Sequence, residues 1–181
     1  MPQVRLGSKF IPSRFGDLVL MWREEESGPK VTKLLLPSDG TRAERVVGAR
    51  YPQEAMDVLS DQISRYLDGE PVQFAVDHLD SDCCSEFQWH VLIVERTIPR
   101  GRVCSYSRLA AMTGNPKAAR AVGSALARNP FPIIIPCHRT VRRDGTLGGF
   151  GGGLPMKREL LEMEGVGFDS RGRVRSDFSW P

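Results

Sequence analysis

Ser105-Tyr106-Ser107-Arg108-Leu109-Ala110-Ala111-Met112-Thr113-Gly114-Asn115-Pro116-Lys117-Ala118-Ala119-Arg120-Ala121-Val122-Gly123-Ser124-Ala125-Leu126-Ala127-Arg128 reads as two helices around a tight turn. Ser105 is a good N-cap for a helix through Met112, and Gly114 is placed to end it. Asn115 then caps a second helix with Pro116 at its first position, where a missing N–H costs nothing. Two helices joined this way predict a helix-turn-helix. The second helix carries a face made almost wholly of Ala, Gly and Ser. Gly123 costs that helix about 1 kcal/mol relative to Ala, which close approach to another surface would offset.

Immediately downstream, Ile133-Ile134-Ile135 predicts a short buried strand whose ladder Pro136 interrupts. Cys137 then falls where strand gives way to loop. His138 and Arg139 follow at once, and both can favour thiolate over thiol. A buried cysteine is usually inert; the flanking basic groups and the run Gly148-Gly149-Phe150-Gly151-Gly152-Gly153 argue for a nucleophile. Glu164 falls in the last turn of a helix predicted over Met156–Glu164, where the dipole disfavours a carboxylate. That position calls for a positive partner.

Upstream, Leu18–Trp22 and Val31–Leu36 predict two strands, with a hairpin at Ser27-Gly28-Pro29. Ala55, Met56, Leu59, Ile63 and Tyr66 lie at helical spacing within Glu54–Leu67, ended by Gly69. Val72–Val76 is a further strand candidate. These make a small α+β unit over residues 1–80, with a polar linker at 81–85. Residues 86–170 form a mostly helical second domain. It opens with a helix from Phe87 to Arg96 that turns Phe87, Val91, Leu92 and Val94 inward. Residues 171–181 are polar and predict a loosely held tail, in which Phe178 and Trp180 are the side chains able to dock.

The 181 residues are 40% hydrophobic and 26% charged, as in a globular protein. No run is apolar for long enough to span a membrane, and no signal peptide is visible, so a cytoplasmic chain, nuclear in a eukaryote, is expected. Residues 1–86 have 10 Lys+Arg against 15 Asp+Glu, whereas residues 87–181 have 15 against 7. That asymmetry points the second half at a polyanion. The cysteines at 83, 84, 104 and 137 show no metal-ligand spacing, and residues 1–77 lack both Cys and His. No metal and no cofactor are expected.

Pro136-Cys137-His138-Arg139 resembles the active-site motif of the O6-alkylguanine-DNA alkyltransferases. The likeness begins at Phe87-Gln88 and runs through Ile98-Pro99, Ser105-Tyr106, the segment 114–123, Asn129-Pro130 and Glu164-Gly165. It implies an RNase H-like N-terminal domain and transfer of an alkyl group from the 6-oxygen of guanine to Cys137, once per molecule. The partner would be double-stranded DNA carrying the lesion, bound by a monomer. His138 would act on Cys137 through a bridging water, with Glu164 orienting the imidazole and Tyr106 donating to the base. The second helix would enter the minor groove, Arg120 replacing the flipped nucleotide among contacts from Ser105, Lys117, Ala119, Ala121 and Gly123. Asn129, Arg139, Thr140, Phe150 and Gly151 would shape the pocket, the Thr140 carbonyl accepting from the exocyclic amine. Phe150 departs from the tyrosine of many relatives, so the pocket loses a hydroxyl but keeps a ring.

Three other readings compete. A DNA-binding regulator would leave the cysteine idle. A lesion sensor of the alkyltransferase-like kind would carry tryptophan at 137. A cysteine hydrolase would leave the basic helix-turn-helix unused.

Overall fold

The computed structural model describes residues 5–37 and 54–181. The chain divides into two compact units, one of residues 1–83 with 130–134, the other of 84–129 with 135–181. The short return segment 130–134 therefore belongs with the N-terminal unit rather than with the sequence around it.

In the first unit, β1 (Leu6–Ile11), β2 (Leu18–Glu25) and β3 (Gly28–Leu35) form an antiparallel meander in the order β1-β2-β3. Glu25 pairs with Gly28 across a two-residue turn, and the glycine's φ of 109° is one that L side chains rarely adopt. Leu18, Leu20 and Trp22 of β2 and Val31, Leu34 and Leu35 of β3 are buried. Helix α1 (Glu54–Leu67) lies on β1 and buries Met56, Leu59, Ile63, Tyr66 and Leu67, the spacing its sequence predicts. Val72–Val76 is not a strand: Phe74 instead docks on Tyr66, ring centroids 5.7 Å apart. Strand β1 was not anticipated, because Gly7, Ser8 and Lys9 break its apolar pattern; Gly7 is there because the Trp22 ring occupies the space a Cβ would need.

The second unit opens with α2 (Glu86–Glu95), capped by Ser85. Its buried face is Gln88, Val91, Leu92 and Glu95, while Phe87 is exposed, contrary to expectation. Val91 and Leu92 are buried as expected, but at the two ends of the stripe the polar Gln88 and Glu95 take the inward places given to Phe87 and Val94. Strand β4 (Cys104–Ser105) leads directly into α3 (Tyr106–Met112). Ser105 Oγ accepts from the Arg108 amide, and Gly114 turns the chain at φ 85°. Helix α4 spans Ala119–Ala127 and packs on both α2 and α3. It starts later than its sequence suggests, because Asn115 closes a turn instead: its side chain accepts from Lys117 N and its carbonyl from Ala118 N. Strand β5 (Thr140–Val141) runs parallel to β4, and α5 (Gly153–Met163) starts three residues before the predicted Met156.

The C-terminal segment is not a loose tail. Val103 N donates to the Phe178 carbonyl at 3.0 Å and Trp180 N to the Val103 carbonyl at 2.7 Å. Val174 is buried with Val103, Val141, Leu161 and Val166, and Phe178 packs on that cluster.

Candidate active site

The isoleucine run before the cysteine is no strand. Ile134 N donates back to the Pro132 carbonyl at 2.9 Å, with Ile133 at φ 71°. This is a γ-turn in the strained left-handed form, unusual for a β-branched residue. Cys137 N then donates to the Ile135 carbonyl at 2.8 Å across Pro136, at φ −81° and ψ 59°. Two successive three-residue turns thus replace the expected extended chain. They deliver Cys137 to the start of a single 3-10 turn, Cys137–Arg139.

Cys137 borders a recess of about 310 Å³ with Tyr106, Gly123, Leu126, Ala127, Phe150 and Gly151 among its walls. A shallower hollow shares Tyr106 and Gly123 and adds Ala119, Arg120, Arg142 and Gly148. The small side chains of α4 are what leave this room. Gly148 sits at φ 69°, where a Cβ would come within 2.8 Å of the Tyr106 hydroxyl. Arg120 and Ala121 are exposed on α4, and Lys117 is exposed in the turn before it. Ser105 uses its hydroxyl as the cap of α3.

Burial pushes the Cys137 thiol up to about 11, although Asn129 and the Lys157 charge favour thiolate. At neutral pH the resting group is a thiol. The Asn129 amide also donates to the Ile135 carbonyl at 3.2 Å, so it braces the turn that aims the cysteine. Its own position is fixed from α2: Gln88 Nε2 donates to the carbonyls of Ala125 and Arg128 at the end of α4.

His138 is fully buried, its Nε2 3.1 Å from Glu164 Oε1. Burial lowers the imidazole's basicity against the pull of Glu164, so it is neutral near pH 7. With Nε2–H donating to the carboxylate, Nδ1 is the basic nitrogen. The Phe150 ring meets the imidazole edge-on, centroids 6.3 Å apart. Burial alone would weaken the Glu164 acid, yet His138 and Arg139 outweigh it and hold the carboxyl well below the usual carboxylate range.

Arg139 does not serve the thiol as its position in sequence suggests. Its Nε and Nη2 fork onto Glu164 at 2.9 and 2.7 Å, and its Nη1 donates to the Ile98 carbonyl. It supplies the positive partner Glu164 needs at the end of α5 and does not line the recess. Thr140 is likewise displaced from its expected role. It is fully buried, its hydroxyl donating to Glu95 Oε2 at 2.6 Å and its carbonyl taking the Lys157 ammonium at 2.6 Å.

Glu95 and Lys157 were missed. Both are fully buried, Glu95 pushed up to about 7 and Lys157 brought down to about 8, chiefly by burial. A charged residue at an inward position of each helix was the available signal: Glu95 falls four residues after Val91, and Lys157 sits between Met156 and Leu160.

A strained loop thus sets one thiol at the wall of a recess, and next to it in sequence stands a neutral histidine held by an ionised carboxylate. Residues 86–166 match the 6-O-methylguanine DNA methyltransferase, DNA binding domain, family. A methylated-DNA–protein-cysteine methyltransferase of Methanothermobacter thermautotrophicus is 46% identical over 120 residues, 66% of this chain and 67% of that protein. The crystal structure of Mycobacterium tuberculosis O6-methylguanine methyltransferase superposes with a TM-score of 0.72 at 36% identity, covering 88% of this chain and 92% of that one. A structure of Mycobacterium tuberculosis OGT in complex with DNA gives 0.69 at 36% identity, over 89% and 92%. The chain belongs to the 6-O-methylguanine-DNA methyltransferase family.

Proposed function

We propose that this protein repairs DNA by moving a methyl or larger alkyl group from the 6-oxygen of guanine onto Cys137, once per molecule. The observation that carries the reading is Cys137 at the wall of a recess bordered by the small side chains of α4. Helices α3 and α4 act as a helix-turn-helix monomer on double-stranded DNA, α4 entering the minor groove with Ala119, Ala121 and Gly123 towards it. Arg120, exposed at the lip of the adjoining hollow, fills the gap left by the flipped nucleotide, with Ser105 and Lys117 at flanking phosphates. Residues 1–80 serve as an RNase H-like support domain, and residues 86–170 hold the chemistry.

The chemistry is one displacement. The Cys137 proton leaves through His138, which Glu164 keeps in the Nε2–H tautomer. Sulfur bonds to the alkyl carbon as the carbon–oxygen bond breaks, and the guanine anion departs while Tyr106 donates to it. Phe150 and Gly151 enclose the base. Nothing in the recess can cleave the resulting thioether, so the protein is consumed. Incubation with excess methylated duplex followed by peptide mass analysis should find one methyl group, on Cys137. Cys137→Ala should bind the duplex but accept nothing; product in excess of protein would defeat the reading.

A further inference from the structure

Glu95 has no part in the displacement, yet it is a fully buried acid in the unit that holds Cys137. Burying a carboxylate costs several kcal/mol unless it is paired and hydrogen-bonded. Here one oxygen takes the Thr140 hydroxyl at 2.6 Å, while Oε1 has no hydrogen-bond partner. The same Thr140 receives Lys157 Nζ on its carbonyl, and Lys157 also donates to the Gly149 carbonyl at 3.2 Å. Thr140 thus joins an acid from α2 to a base from α5, three residues beyond the nucleophile.

The charges around Lys157 do not balance for every state of the thiol. Cys137 and Glu95 both act on the ammonium as anions, and Glu95 disfavours the ionised forms of Cys137, Cys104 and Tyr106. Facing Glu95 are Thr140 and Arg139 from the segment after Cys137, Lys157 from α5, and Cys104 and Tyr106 from β4 and the start of α3. Arg139 is already committed to Glu164, and Arg142 acts on Lys157 as a like charge. One ammonium is left to serve two buried acids.

We propose that Glu95 is a positioning residue for alkyl transfer: its carboxylate, held by Thr140, competes with the Cys137 thiolate for the Lys157 ammonium. The group of Glu95, Lys157 and Cys137 then carries one buried anion at a time, apart from the Glu164 carboxylate that Arg139 already pairs. When Glu95 is protonated, Lys157 is free to stabilise the thiolate, and net charge stays at zero. When Glu95 is ionised, Lys157 is already neutralised and the thiol keeps its proton. Glu95 is a restraint on the nucleophile, holding it as an unreactive thiol in the resting protein. The proposal rests on Cys137 as the acceptor, but its test needs no DNA.

The rate of carbamidomethylation of Cys137 by iodoacetamide, read by mass analysis of its own peptide, is measured from pH 6 to 11.5, a range that includes the wild-type thiol at about 11. Glu95→Gln keeps an acceptor for Thr140 and removes the charge. The midpoint of its profile should fall by about one pH unit, so that Cys137 reacts about tenfold faster than wild type at pH 7.5. Thr140→Val removes the hydroxyl that favours the ionised Glu95 and should move the midpoint the same way by less. A purely structural Glu95 would alter melting temperature and leave both profiles on the wild-type curve, which overturns the proposal. If Glu95→Gln does not fold, Thr140→Val decides alone. Failure of methyl transfer from DNA alongside shifted profiles would sink the repair reading and leave the restraint standing.

Discussion

Arg139 grips Glu164 with two guanidinium nitrogens, at 2.9 and 2.7 Å, two residues away from the cysteine it seemed placed to activate. The positive charge beside Cys137 in sequence is committed to the carboxylate that also meets His138. The thiol is left to a different cation, Lys157, from another helix.

That pair sets an acid limit on stability. The folded Glu164 carboxyl lies well below its ordinary value near 4.5, so between those points the native state binds fewer protons than the unfolded chain. Its stabilisation is full above about pH 5 and is lost as pH falls. Arg139→Ala should cost about 3–5 kcal/mol at pH 7 in urea titrations, because it strands a buried charge. It should also flatten the acid loss. Glu164→Gln should flatten it too, and should slow methyl transfer by about 100- to 10,000-fold through His138. A Glu164→Gln protein with wild-type transfer rates would remove the histidine relay.

Arg120 should matter only when a base has to leave a duplex. Extrusion costs a few kcal/mol, so Arg120→Ala should slow transfer from methylated duplex by about a hundredfold. Transfer from free alkylguanine should stay close to wild type. Single-turnover rates on the two substrates separate the roles, and equal losses would place Arg120 in the chemistry instead.

Gly148 should resist any side chain. Its φ of 69° disfavours one, and a Cβ would stand 2.8 Å from the Tyr106 hydroxyl. Gly148→Ala should lower the melting temperature by several degrees, at about 1–2 kcal/mol, and slow transfer by displacing Tyr106. Adding Tyr106→Phe should recover part of the stability without restoring the rate. Strictly additive melting temperatures in the double variant would show that the two residues do not meet.

The parts of the fold readable in sequence were those whose signals are local. Ser105 caps α3, Gly114 ends it, and the spacing Met56, Leu59, Ile63, Tyr66 gives α1 its face. Cys137, His138 and Glu164 stand out in the sequence for the same reason, and the structure joins His138 to Glu164 and sets Cys137 at a recess. What failed was decided by turns that no residue preference announces and by contacts distant in sequence. The isoleucines look like a strand, but hydrogen bonds to Pro132 and Ile135 fold them into γ-turns. Asn115 looks like a cap, but the chain needs a full turn before α4. Glu95 and Lys157 meet through Thr140, 45 and 17 residues away, and no local pattern announces that.

The return segment 130–134 makes the two units inseparable by scissors. A fragment beginning at residue 84 would carry Phe131, Ile133 and Ile134, each at most 2% exposed in the intact chain, without the N-terminal sequence that shares their unit. A fragment ending at residue 83 would lack the Pro130 carbonyl that receives Leu34 N at 2.8 Å. The half that holds Cys137 is no portable module: the strained segment 130–134 just before it belongs to a unit whose other residues are 1–83. Shortened versions meant to keep only the transfer chemistry would have to replace those residues themselves.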